Sequence, residues 1–81
     1  MTRYFFNLRR DGEIVSDVEG DEFVDRDAAR LSAINAVREM VAARIKAGEL
    51  VTDQYMDVSD EAGNLVFSVS FHDVVRNHLT K

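Results

Sequence analysis

Residues 26–47 form the longest stretch whose small and apolar side chains recur at helical spacing. At about 100° per residue, Ala29, Ala33, Ala36, Val37, Met40 and Ala47 fall within one arc, and Ser32, Asn35, Glu39 and Lys46 fall opposite. Asp25 is placed to cap the N-terminus, with Asp27 in the first turn. Arg44 and Lys46 favour the C-terminal dipole, and Gly48 supplies the C′ residue. The spacing therefore predicts a helix from about Arg26 to Ala47. A stripe built mainly of alanine lets a helix backbone approach its neighbour closely. The neighbour must then be flat and must supply the bulk itself. Leu31, Ile34 and Ile45 lie at the stripe's edge near Arg38, where coverage is least.

The flanking segments supply that flat partner. Residues 3–9 alternate around aromatics, with Tyr4, Phe6 and Leu8 on one face and Arg3, Phe5, Asn7 and Arg9 on the other. A turn at Arg10-Asp11-Gly12 leads to a second strand over roughly Glu13–Asp17. A three-residue loop sets Leu8 opposite Ile14; a two-residue loop sets it opposite Val15. The alternatives exchange the faces of the second strand. Residues 17–24 read as an acidic connection carrying Gly20. Beyond the helix, strands are expected over about Gln54–Ser59 and Leu65–Phe71, joined by Asp60–Gly63. A four-residue loop there places Val58 opposite Leu65 and Met56 opposite Phe67, so that the large apolar residues share a face with Val69 and Phe71. A short terminal helix over Asp73–Leu79 completes the pattern.

The order β-β-α-β-β gives an α+β fold. Its simplest form is a four-stranded, mainly antiparallel sheet with one long helix across one face. With 81 residues the chain makes a single domain. No cysteine is present, so no disulfide or thiolate metal site supports so small a core. No apolar run approaches the roughly 20 residues that span a bilayer. The N-terminal segment reads as a strand and not as an export signal, which places the protein in the cytoplasm.

The same segments resemble a known family. Arg3-Tyr4-Phe5-Phe6, Asp17-Val18-Glu19-Gly20, the ladder Ala29/Ala33/Ala36, Val58-Ser59-Asp60-Glu61-Ala62-Gly63 and Val69-Ser70-Phe71-His72-Asp73 are similar to short bacterial proteins grouped as a domain of unknown function. The resemblance spans about residues 3–75. In that family a histidine often follows the aromatic pair, where this chain has Asn7. The resemblance implies the fold and carries over no activity or catalytic residue.

Charge and motifs argue against several functions. The net charge is −5, divided as +3 over residues 1–10, −7 over 11–27, +3 over 28–48 and −4 over 49–81. An acidic total disfavours non-specific nucleic-acid binding, which depends on phosphate neutralisation. A calcium loop beginning at Asp17 would need glycine at its sixth position and glutamate at its twelfth; Glu22 and Ala28 stand there. His72 and His78 are six apart, unlike the i, i+4 pair that holds zinc. Ser70, His72 and Asp73 are close in sequence, but a strand gives Ser70 and His72 only a shared face. Asp60-Glu61 belongs to a turn, where aspartate bonds its own backbone. Gly12, Gly20, Gly48 and Gly63 are scattered and form no phosphate cradle.

No catalytic, cofactor or metal residue emerges. The expectation is a non-enzymatic interaction or regulatory domain, working as a homodimer or with another protein. The residues expected at the interface are Phe5, Leu31, Ile34, Ile45 and Val66, since a helix covers only one face of a sheet and leaves the second incompletely polar. The alternative is a nucleic-acid-binding accessory protein using Arg3, Arg9 and Arg10 with Arg30, Arg38 and Arg44.

Overall fold

The strand expected from the aromatic alternation runs Thr2–Arg10 (β1), in a computed structural model that describes residues 1–79 and the side chains of residues 1–76. It is followed by Glu13–Val15 (β2), Asp21–Phe23 (β3), the helix Arg26–Lys46 (α1), Gln54–Ser59 (β4), Leu65–Ser70 (β5) and the helix Phe71–Leu79 (α2). The main path of the sheet is β2-β1-β4-β5, every pairing is antiparallel, and β3 also pairs with β1. The α+β architecture is as expected, with one strand more. The acidic connection contains β3, which sets Thr2 beside Phe23 and Tyr4 beside Asp21. β2 and β3 thus share one edge of β1, with Leu8 beside Val15 at the other end.

The first hairpin takes the two-residue loop. Asp11 and Gly12 have φ of 47° and 78°, as a type I′ turn requires. The second hairpin departs from the expected register. Val58 pairs with Phe67, Met56 with Val69 and Ser59 with Leu65, with a bulge at this end of the ladder. Asp60 causes the shift by drawing Asn64 into the turn. Its Oδ1 accepts the N–H groups of Ala62 and Asn64, and its own N–H donates to the Asn64 carbonyl. The additional residue is Val66. Leu65 therefore joins the face of Ser59 and is 64% exposed instead of entering the core. Val66, expected on the open face, packs against the core.

α1 begins where Asp25 accepts the Ala28 N–H at 2.8 Å and ends at Ala47, the C-cap, with Gly48 at φ 77°. Its buried stripe is Ala29, Ala33, Val37 and Val41. Val41 belongs to it and Ala47 does not, since the helix stops there and Ala47 is exposed. Ser32, expected opposite the stripe, is half-buried. As the alanines require, bulk comes from Tyr4, Met56, Val58, Phe67, Val69 and Phe71. Phe23 adds to it, stacking on Phe6 with ring centroids 5.7 Å apart. Phe71 is fully buried, although it starts α2 instead of ending β5. Burial of a side chain of this size contributes about 1.5–3 kcal/mol.

Candidate functional site

Two surfaces carry side chains whose arrangement suggests a role. The first is the sheet face turned away from α1. The β1·β4 register places Asn7 beside Asp57 and Arg9 beside Tyr55, and the β4·β5 register places Asp57 beside Ser68. Arg9 reaches diagonally to Asp57, with Nε at 2.7 Å and Nη2 at 3.3 Å, and its guanidinium lies 4.4 Å from the Tyr55 ring centroid. Ser68 donates its hydroxyl to Asp57 at 2.6 Å. The Arg9 hydrogen bond holds the Asp57 carboxyl below the usual carboxylate range against the opposing effect of burial, and Ser68 helps. Asp57 in turn raises Arg9. Asp57 is thus a charged acceptor with three donors already on it, a poor general base. Among the described residues no histidine joins this cluster; His72 pairs with Asp53 instead. Sequence spacing alone does not reveal it, because its members sit on three strands.

The motif residues have structural duties. Ser70 caps α2 by accepting the Asp73 N–H at 3.3 Å. His72 lies 3.2 Å from Asp53. The side chain of His78 lies outside the described residues. Asp17 accepts hydrogen bonds from the N–H groups of Phe6 and Gly20. Among the described residues no three side chains of metal-ligating type converge.

The second surface is the flank of α1 with α2 and the outer edge of β5. Leu31 and Ile45 are 61% and 60% exposed, and Ile34 is half-buried. Ile45 lines an apolar cleft of about 480 Å³ with Val41, Ala42, Val74 and Val75, bordered by Arg38 and Lys46. A smaller groove of about 250 Å³ adjoins it, between Arg30, Ile34 and Arg38 of α1 and Ser68–Ser70 of β5. The expected interface residues are therefore divided. Leu31, Ile34 and Ile45 lie together on α1. Phe5 lies on the opposite side of the sheet, half-buried, with its ring beside Gly20. Val66 is partly absorbed into the core. Of the arginines, Arg3 donates to the Glu19 carbonyl at 2.7 Å, and Arg44 lies 5.5 Å from the Phe71 ring centroid.

A family model described as a domain of unknown function, DUF6894, matches residues 3–72. The chain belongs to this family. The DUF6894 match covers nearly all of β1, the whole of β2 to β5 and α1, and the first two residues of α2. It includes the polar sheet face and the outer edge of β5, while Val74 and Val75 of the apolar cleft lie beyond it. No curated protein and no solved structure matches the chain.

Proposed function

We propose that this protein is a non-enzymatic interaction domain that acts as a homodimer through the α1–α2 flank, in the cytoplasm. The observation that carries the reading is the cleft around Ile45. It combines a largely exposed isoleucine with Val41, Ala42, Val74 and Val75. Contiguous apolar exposure on a small domain marks a contact surface, and two-fold pairing is its commonest form. Pairing would also supplement a core that no disulfide reinforces. The polar sheet face supports a binding role over a catalytic one, since Asp57 is committed to Arg9 and Ser68. Nucleic-acid binding by the strand-one arginines is the weaker reading, because Arg3 and Arg9 are held by contacts within the chain.

Sedimentation equilibrium from micromolar to near-millimolar concentration tests the dimer. The expected result is a mass twice 9.2 kDa at the upper end, reduced to 9.2 kDa by Ile45→Glu with the circular dichroism spectrum unchanged. A single 9.2 kDa species throughout rejects it. Phe5→Glu should reduce stability instead of association, since the Phe5 ring packs beside Gly20.

A further inference from the structure

β5 is an edge strand, and the direction of its backbone groups can be worked out from the pairings. The Phe6 N–H bonds Asp17, on the side of β1 away from β4. Alternation then turns Phe5, Asn7 and Arg9 towards β4, and Ser59, Asp57 and Tyr55 back towards β1. Met56 and Val58 face β5, and their partners Val69 and Phe67 face β4. The backbone groups of Ser68 and the Ser70 N–H consequently face outward, where no strand among the described residues pairs with them, while the Ser70 carbonyl begins α2. The Val66 carbonyl also faces outward and is taken by Arg26 Nη2 at 2.9 Å.

Alongside this edge runs a row of α1 residues at i, i+4, i+8 and i+12: Arg26, Arg30, Ile34 and Arg38. Arg30, Ile34 and Arg38 line the groove of about 250 Å³ against Ser68–Ser70. Neither Arg30 nor Arg38 has an ion-pair partner among the described residues. The carboxylate at the end of the groove, Asp73, is paired with Arg76.

We infer that the β5 edge and the Arg30–Arg38 row form a strand-addition site for an extended acidic segment of a partner protein. This inference rests on the reading of the chain as an interaction domain and assigns the groove that adjoins the Ile45 cleft, with Arg38 between the two. An added strand bonds its backbone to Ser68 and to the Ser70 N–H and directs alternate side chains over the groove. Arg30 and Arg38 are about 12 Å apart along the helix axis at 1.5 Å per residue. Strand residues four apart span about 13 Å. The segment that fits carries two acidic residues four positions apart, with an apolar residue midway to meet Ile34. Charge complementarity selects this occupant over a second copy, because two-fold edge pairing would bring two arginine rows together.

The probe is a fluorescein-labelled peptide of β-forming residues with glutamates four positions apart and a valine midway. Its polarisation is followed against the full chain at about 50 mM salt, where screening is modest. A lysine-for-glutamate counterpart and an oligothymidylate are run in parallel. Saturable binding of the glutamate peptide alone is expected. Arg30→Glu removes one exposed ion pair, worth up to roughly fivefold, and adds a like-charge contact; it should weaken binding by about fivefold and admit the lysine peptide instead. Ser68→Pro removes an outward N–H and should abolish binding while circular dichroism is retained, whereas Ser68→Ala keeps that N–H and should bind. Absence of saturable binding overturns the inference, as does binding that Ser68→Pro leaves unchanged. Preference for oligothymidylate reassigns the arginine row to nucleic acid and also overturns it. Dissociation by Ile45→Glu is scored separately, so the dimer can stand when the strand site fails.

Discussion

Asp17 Oδ2 accepts the Phe6 N–H at 3.1 Å, at the point on the outer edge of β1 that neither β2 nor β3 reaches. The second oxygen of Asp17 accepts the Gly20 N–H at 3.1 Å, and its own N–H donates to Asn7 Oδ1 at 3.0 Å. Asn7 completes the link by donating to Ser59 Oγ on β4. One carboxylate thus closes the gap between two short strands and ties their connector to the sheet.

Asp17→Ala should therefore destabilise the domain by about 1–3 kcal/mol, the cost of leaving partly buried donors unsatisfied. Asp17→Asn keeps one acceptor and should cost less. Urea midpoints of the two variants check the order; equal midpoints would mean that solvent replaces the carboxylate.

Gly20 and Gly48 separate backbone strain from crowding. Both have positive φ, 68° and 77°. A Cβ at Gly48 meets nothing within 4 Å, whereas one at Gly20 would stand 2.8 Å from the Tyr4 carbonyl oxygen and 2.9 Å from the Phe5 ring. Gly48→Ala should cost about 1–2 kcal/mol for the left-handed conformation alone. Gly20→Ala should cost clearly more, read as a lower urea midpoint. A Gly20→Ala midpoint at or above that of Gly48→Ala would show that the connector moves away freely.

Ala33 lies fully buried at the centre of the α1 stripe. Ala33→Leu should lower stability by about 1–3 kcal/mol through overpacking between helix and sheet. An unchanged urea midpoint would contradict close approach of α1 at this position.

The Arg9–Asp57 pair predicts an acid limb in stability. The folded-state pKa of Asp57 is lowered, chiefly by the Arg9 hydrogen bond. Its contribution is complete above the unfolded-state value of about 3.9 and is lost as pH falls through the lower folded-state value. In Arg9→Gln the Asp57 pKa should move back towards the ordinary range, and the loss of stability below about pH 4 should be shallower. Urea midpoints across an acid pH series measure this; parallel curves for the two proteins would remove the pair from the explanation.

The sequence by itself determined the elements whose chemistry is local. Asp25, the alanine ladder and Gly48 delimit α1 because a helix bonds within itself and its caps lie a few residues from what they cap. The alternation of Tyr4, Phe6 and Leu8 likewise specified the core face of β1, since side chains alternate along any strand. Tertiary structure decided the strand path β2-β1-β4-β5 and the pairing of β3 with β1. It also selected the first hairpin's register and formed the Arg9–Asp57–Ser68 cluster. Residues 21–23 are acidic at two of three positions and pair because β1 offers a free half-edge, a fact held elsewhere in the chain. The fate of Leu65 and Val66 turned on one additional residue in the ladder. Strand faces have a period of two, so a bulge admitted by the Asp60 turn exchanges what faces the core with what faces water.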